Sequence, residues 1–315
     1  MNDFVTRLGG RIFLYVFTVL AMTAFTVRAE AGVAEKYLES GVRKAESGDY
    51  AGAIDDFSRS IRFKPNNPEA FYNRGLARGF AGDLKGAIAD YSKTISIDSR
   101  SIVAYNNRGF TRAALGDYKL AIADISKAIS INPKIAEFYN NRGTVRTSMK
   151  DYRTAIADFN KALALDPGLA GVYNNRGLAK GFSGDTQGAI DDFTRSVALD
   201  QRYTAAWYNR GNARVIMNDA KGAFEDYSRV LVLDPEMLAA WNNRAFTSLR
   251  LGDYAGALRD LGKIIEIDPG IASAWYNRGV IKKLAGDRAG AIEDLKKAAA
   301  LGDSLAVDAL KGLMP

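Results

Sequence analysis

A period of 34 residues runs through this chain and restricts its possible folds more than any other feature. Glycine recurs at one position of the period, as Gly41, Gly75, Gly109, Gly143, Gly177, Gly211 and Gly279, with Ala245 in the seventh copy. Alanine recurs at a second position, as Ala53, Ala87, Ala121, Ala155, Ala189, Ala223, Ala257 and Ala291. A fixed period of about 20 to 50 residues is typical of solenoids, in which similar units stack on one another.

The register predicts eight consecutive units without an insertion or a linker, so no separate catalytic domain fits between them. The predicted units are 34–67, 68–101, 102–135, 136–169, 170–203, 204–237, 238–271 and 272–305. Residues 306–315 remain and are predicted to form a short C-terminal cap, because the end of a repeat stack needs cover. This cap is small, which leaves self-association open.

Each unit is predicted to contain two amphipathic helices, as residues 68–101 illustrate. Apolar positions with helical spacing occupy 69–81 and 84–97, and the Gly-Asp pair at 82–83 separates them. Glycine accepts the left-handed conformation after a helix, and aspartate caps the next helix. Lys150 and Asn218 replace this glycine in two units, and modest strain is expected at Lys150. The sequence therefore predicts an all-α fold of antiparallel helical hairpins.

The first 31 residues have the layout of a secretion signal peptide. Arg7 and Arg11 precede an uncharged run over 12–27, and the small-x-small tripeptide 29–31 follows. About 16 residues are too few for a comfortable membrane span. Removal after Ala29 or Ala31 is therefore predicted, with an uncleaved membrane anchor as the alternative. Either outcome places the repeats outside the cytoplasm, in the periplasm or secreted.

The chain contains no cysteine and no histidine. Disulfides, thiolate and imidazole metal sites, Ser-His-Asp triads and Cys-His dyads are therefore excluded. Carboxylate pairs and lysine or serine nucleophiles remain in principle. We expect neither a cofactor nor an enzymatic activity.

The unit resembles the tetratricopeptide repeat. The residues that carry the resemblance are a large residue, a small residue, a Gly-Asp turn, alanine and an aliphatic residue, seen as Trp275, Gly279, Gly286-Asp287, Ala291 and Leu295. A closing proline follows in other units as Pro65, Pro133, Pro167, Pro235 and Pro269. The resemblance covers 34–305 and implies an α-solenoid with a right-handed superhelical path, whose concave groove is lined by the first helix of each unit.

Asparagine occupies the sixth position of seven units, which is unusual because it is a mediocre helix former. The row is Asn73, Asn107, Asn141, Asn175, Asn209, Asn243 and Asn277. One interpretation is a ladder of amides that donate to and accept from an extended peptide backbone. It is similar to the asparagine ladder of protein-glycosylating transferases with this repeat. The other is that duplication copied a residue that bonds neighbouring helices.

Amides and aromatic rings also occupy the fifth position, which the resemblance likewise places in the groove. They are Tyr72, Asn106, Asn140, Asn174, Tyr208, Asn242 and Tyr276. Phe80, Phe110, Phe182 and Phe246 stand at the ninth and thirteenth positions, either as peptide anchors or, as we favour, as packing between units. We predict a non-enzymatic scaffold that binds an extended segment of another protein, with a binder of cell-envelope glycan or lipid-linked polymer as the alternative.

The formal charge of +7 could indicate a nucleic-acid partner, but its distribution argues against one. Arginine fills the seventh position of seven units, and an unbroken row of aspartates runs from Asp56 to Asp294 on the second helices. We predict that the arginines and aspartates pair between helices as structural contacts. Because most basic rows have acidic counterparts, we expect no nucleic-acid binding.

Overall fold

A computed structural model describes residues 32–313 of the chain. These residues form 17 helices and no strand, which confirms the predicted all-α fold of helical hairpins. The predicted signal peptide at 1–31 lies outside the described residues. Among the helices at 33–311, none combines the length and the apolar character needed to cross a membrane.

Each predicted unit holds two helices. The first helices are α1 (Val33–Glu46), α3 (Pro68–Phe80), α5 (Ile102–Ala114), α7 (Ala136–Ser148), α9 (Ala170–Phe182), α11 (Thr204–Ile216), α13 (Leu238–Arg250) and α15 (Ala272–Leu284). The second helices are α2 (Tyr50–Phe63), α4 (Leu84–Ile97), α6 (Tyr118–Ile131), α8 (Tyr152–Leu165), α10 (Thr186–Leu199), α12 (Ala220–Leu233), α14 (Tyr254–Ile267) and α16 (Arg288–Ala300). A last helix, α17 (Ser304–Lys311), begins two residues before the predicted cap.

The chain divides into two compact bodies, Met1–Lys150 and Asp151–Pro315. We call them the N-terminal body, which contains α1 to α7, and the C-terminal body, which contains α8 to α17. In the C-terminal body Leu310 of α17 and Leu313 beyond it pack against the apolar side of α16. Leu305 and Val307 of α17 are exposed, and self-association through this end stays a prediction.

The turns inside the hairpins form as the sequence predicts. Seven aspartates accept a hydrogen bond from a backbone N–H three residues later: Asp49, Asp83, Asp151, Asp185, Asp219, Asp253 and Asp287. Asp117, which is followed three residues later by Leu120, is the exception and forms no such bond. Six of the seven capping turns have glycine there, and a Cβ built on Gly52 would collide with the Asp49 carboxylate. The predicted left-handed residues are also present, with φ of 62° at Lys150 and 61° at Asn218.

The recurring glycine of the first helix lies under a large side chain of the second helix. A Cβ on Gly75 would meet the Tyr91 ring at 2.8 Å, and one on Gly109 would meet the Ala121 carbonyl oxygen at 2.9 Å. Ala121 itself has no exposed surface. The small residues therefore let the two helices of a hairpin approach closely, as predicted.

The predicted arginine–aspartate pairing is confirmed within six hairpins. The nitrogen–oxygen distances are 2.6 to 2.8 Å in Arg74–Asp90, Arg108–Asp124, Arg176–Asp192, Arg210–Asp226, Arg244–Asp260 and Arg278–Asp294. A second cation one turn later joins the same carboxylate, as Arg214 does at 2.8 Å from Asp226. All of these aspartates are buried.

Five of these arginines also connect their hairpin to the one before it. Arg210 donates from Nη1 to the Thr194 hydroxyl on α10 at 3.2 Å, and its guanidinium lies 4.7 Å from the centre of the Trp207 ring. Equivalent bonds to serine hydroxyls join Arg74 to Ser58 and Arg108 to Ser92. Five of the six arginines therefore satisfy their donors on two hairpins at once, which fixes the register of those hairpins; Arg278 is the exception, because Gly262 offers it no acceptor side chain.

Candidate functional site: the face of the first helices

The first helices form one layer of each body. In the N-terminal body α1 contacts α3 and α5 contacts α7, and in the C-terminal body α9 contacts α11. By helical periodicity the fifth, sixth, ninth and thirteenth residues of a unit share one side of its first helix. We call this side the groove face. It carries every side chain that the sequence places in the predicted peptide site.

In the N-terminal body the structure buries most of these predicted residues. Tyr72, Asn106, Asn107, Asn140 and Asn141 are all buried, whereas Asn73 is half-buried. Asn107 donates from Nδ2 to the Tyr72 hydroxyl at 3.0 Å, and Asn141 donates to Oδ1 of Asn106 at 3.1 Å. These bonds join consecutive first helices.

The C-terminal body repeats the contact but leaves more amide surface accessible. Asn209 donates to Oδ1 of Asn174 at 2.9 Å, and Asn243 donates to the Tyr208 hydroxyl at 3.1 Å. Asn174 is buried; the half-buried members are Asn175, Asn209, Asn243, Asn277, Tyr208, Asn242 and Tyr276.

The sixth position of one unit thus bonds the fifth position of the unit before it. This favours the interpretation in which asparagine connects neighbouring helices, and it explains the row in physical terms, because a buried amide needs a partner. The peptide-binding role of these amides stays a prediction, and the half-buried members are the ones with surface to serve it. Asn73 and Asn277 form no side-chain hydrogen bond with another residue in 32–313.

Exposed apolar side chains stand beside the amides in the C-terminal body. The exposed fraction is 62% for Phe182, 69% for Ile216 and 57% for Leu284, all at the thirteenth position of their units. Phe246, at the ninth position, is 43% exposed. Exposed apolar side chains that cluster on one surface mark interaction sites in soluble proteins. We call these four residues the apolar row.

The structure also resolves the two interpretations of the phenylalanines in part. Phe80 stacks on Tyr50 of the preceding hairpin at 5.0 Å between ring centres, so it packs between units as we favoured. Phe182 stacks on Tyr152 at 5.8 Å but keeps more than half of its surface exposed. Phe246 likewise keeps a large exposed surface.

The sequence reasoning did not single out Ile216 and Leu284. A comparison along the thirteenth position would have found them, because Phe80, Phe182 and these two residues make it recurrently apolar at the end of the first helix. Periodicity assigns apolar residues to the core by default, and the burial of a helix end depends on how far the next hairpin overlaps it.

The groove face carries few charges among the described residues. Glu137, at the second position of α7, is half-buried, and burial raises the pKa of its carboxyl although a hydrogen bond with Asn141 opposes the change. Arg250 donates to the Asn218 side chain at 2.8 Å, so its guanidinium already has a hydrogen-bond partner within the protein. No group of three or more acidic residues within 32–313 is arranged to hold a metal ion.

Matches to family models decide the identity of the repeats. Models described as TPR repeat or tetratricopeptide repeat match residues 41–79, 102–135, 136–169 and 245–306. The chain belongs to the tetratricopeptide repeat family. No curated protein matches the sequence. The tetratricopeptide repeat family and the solved structures below indicate no enzyme family.

Solved tetratricopeptide repeat structures agree with the α-solenoid fold. The structure of YrrB, described as a TPR protein with an unusual peptide-binding site, is 28% identical, with a TM-score of 0.54 over 59% of this chain and 97% of YrrB. A TPR repeat-containing protein from Cytophaga hutchinsonii matches with a TM-score of 0.59 at 17% identity, over 76% of this chain and 98% of its own. A tetratricopeptide repeat protein from Parabacteroides merdae matches with a TM-score of 0.50 at 20% identity, over 90% of this chain and 99% of its own.

Proposed function

We propose that this protein is a scaffold that binds an extended segment of another protein along the groove face of its C-terminal body. The observation that carries the proposal is the apolar row, which leaves four large side chains exposed beside half-buried amides. A surface of this composition suits a peptide, because apolar anchors supply binding energy and amides satisfy the peptide backbone.

Two further observations support a polypeptide as the ligand. The tetratricopeptide repeat fold is shared with YrrB, whose structure is described as containing a peptide-binding site. The exposed thirteenth positions of α9, α11 and α15 also recur at equivalent places in their hairpins. Arg250 takes this position on α13, so the anchors follow the first helices with one interruption, and such a row suits an extended ligand.

The half-buried amide of Asn277 on α15 illustrates how the two kinds of side chain would cooperate. Its amide forms no side-chain hydrogen bond within the described part of the chain, and Leu284 is exposed two turns later on the same helix. The amide can donate to a peptide carbonyl and accept from a peptide N–H at once. Leu284 would hold an apolar side chain of the same ligand.

Replacing Phe182, Ile216 and Leu284 together by glutamine is expected to weaken peptide binding strongly without unfolding the protein, because all three side chains are exposed. Peptides would be selected on the unaltered protein from a displayed random library, and their affinities for each variant measured by fluorescence anisotropy. Truncating anchors of this kind costs about 1 to 2 kcal/mol each, so the triple variant should bind about a hundredfold more weakly or worse.

The matched control is Val232→Gln on α12, since Val232 is 69% exposed, as Ile216 is, but lies on a second helix. It should leave the affinities unchanged. Selected peptides that bind the triple variant as well as the parent would contradict the proposal. So would a protein that selects no peptide and is retained on isolated cell-envelope glycan, which would favour the alternative ligand.

We also propose that the protein is exported, on the basis of the basic, uncharged and small-residue segments at 7–31. Sequencing the N-terminus of the protein recovered from cells is expected to find Glu30 or Gly32 as the first residue. An intact N-terminus in the membrane fraction would favour the uncleaved anchor. An intact N-terminus in the cytoplasmic fraction would contradict export.

A further inference from the structure

The outer side of the N-terminal body carries cations that the arginine–aspartate pairs do not neutralise. The exposed residues of α4 include Lys85, Ala89, Lys93 and Ser96, and those of α6 include Lys119, Ala123, Lys127 and Ser130 at the same positions. Both stripes are therefore basic and small, without an acid. Arg100 and Lys134 add an exposed cation in the turn after each helix.

None of these six cations forms an ion pair or donates a side-chain hydrogen bond within residues 32–313. Lys93 lies near an aromatic ring, with its Nζ 6.0 Å from the centre of the Phe71 ring. The nearby exposed acids are the turn aspartates Asp83 and Asp117 and, after α4, Asp98, whose Oδ1 accepts from the Arg100 backbone N–H. We call the six residues the basic face.

Hairpins from α10 onward differ at one informative position, whereas α8 keeps Ala157 there between the exposed Arg153 and Lys161. Where α4 and α6 have Ala89 and Ala123, α10, α12 and α16 have Asp191, Glu225 and Glu293, all exposed. On α14, Lys263 pairs with Glu266 at 2.7 Å. The excess of unpaired positive charge on the second helices is thus greatest where alanine replaces the acid. This corrects the sequence-based expectation that the acidic rows neutralise most basic residues, because the aspartate row is buried and pairs with arginines and lysines of the first helices, away from the exposed cations of the second helices.

We propose that the basic face docks the protein on an anionic lipid bilayer. Lys85 and Lys93 stand about 12 Å apart along their helix, at a rise of about 1.5 Å per residue, and Lys119 and Lys127 repeat this spacing on α6. The ligand must therefore present negative charge over an extended surface, because the lysines are spread out and do not line a pocket. Headgroups of a bilayer meet this condition, since flexible lysines bind them by charge alone.

The choice of a bilayer over a nucleic acid rests on the proposed export. The uncharged run at 12–27 ends only five residues, 28–32, before α1 begins at Val33. The N-terminal body is therefore the first part of the fold to stand beside the membrane during export. Its basic face would then act together with that neighbouring apolar segment, or hold the protein at the surface after the segment is removed.

The test compares binding of the full chain to vesicles of phosphatidylcholine with binding to vesicles that also contain phosphatidylglycerol. We expect a preference for the anionic vesicles that weakens steeply as salt is raised. Each lysine beside an anionic surface contributes about fivefold in affinity, so replacing Lys85, Lys93, Lys119 and Lys127 by glutamine should reduce the preference by roughly a hundredfold or more. If residues 12–27 insert into the bilayer, they raise binding to both kinds of vesicle. The preference, taken as the ratio of the two affinities, is therefore unaffected by this insertion.

The matched control removes four exposed cations from the second helices of the C-terminal body: Lys221, Arg259, Lys263 and Lys297, each to glutamine. Its net charge equals that of the test variant, and its preference should fall far less. Equal losses in the two variants, or a parent without preference for anionic vesicles, would overturn the inference, as would tighter binding of the basic face to duplex DNA than to vesicles. Because the groove face is intact in the lysine variant, peptide binding measured on it reports separately on the proposed function.

Discussion

Replacing Asp226 by alanine is expected to destabilise the protein by about 3 to 5 kcal/mol, because it leaves a buried guanidinium without its counter-charge. Asp226 accepts from Nε of Arg210 at 3.0 Å and from Nη2 at 2.7 Å, and both side chains are buried. Arg214 loses one of its two carboxylate partners as well and keeps Asp219. The free energy of unfolding would be measured by urea denaturation followed by circular dichroism.

The control is Asp308→Ala in the ion pair with Lys311, which is 2.8 Å long but exposed on both sides. Exposed pairs contribute about 0 to 1 kcal/mol, so this change should lower the free energy of unfolding by about 1 kcal/mol at most. The contrast tests the role that we assign to the arginine–aspartate pairs. A loss at Asp226 no larger than that at Asp308 would mean that these pairs do not hold the hairpins in register.

Gly211→Ala is expected to destabilise the protein although alanine is the better helix former. The new Cβ would lie 2.8 Å from Cε1 of Tyr227, a fully buried ring that cannot move aside. Overpacking costs about 1 to 3 kcal/mol and the helix propensity of alanine returns about 1 kcal/mol, so we expect a net loss of up to about 2 kcal/mol. The same denaturation experiment measures it.

The chain offers both a control and a rescue for this change. Gly171 on α9 has no atom within 4 Å of a built Cβ, so Gly171→Ala should stabilise the protein by about 0.5 to 1 kcal/mol. The seventh hairpin already combines Ala245 with Leu261, both buried. Adding Tyr227→Leu to Gly211→Ala should therefore recover part of the loss. A stabilising Gly211→Ala would refute the close-packing role of this glycine.

The candidate site was predictable only in part, and the asparagines show why. Their spacing places them on one side of the first helices, as the sequence indicates. Burial of Asn107 and Asn141, however, depends on how close the next hairpin approaches, and their amides bond Tyr72 and Asn106 across that contact. A period of 34 residues cannot distinguish a side chain that faces a ligand from one that faces its own neighbour.

The sequence by itself determined the helices, the turns and the pairing of charges, because each depends on residues close in the chain or at fixed positions of the repeat. The Asp caps, the left-handed Lys150 and Asn218 and the Arg210–Asp226 pair are of this kind. Only the tertiary structure decided which surfaces remain open. Ile216 and the basic face are exposed because neighbouring hairpins do not cover them. How far the hairpins overlap is set by packing between helices that are distant in the sequence.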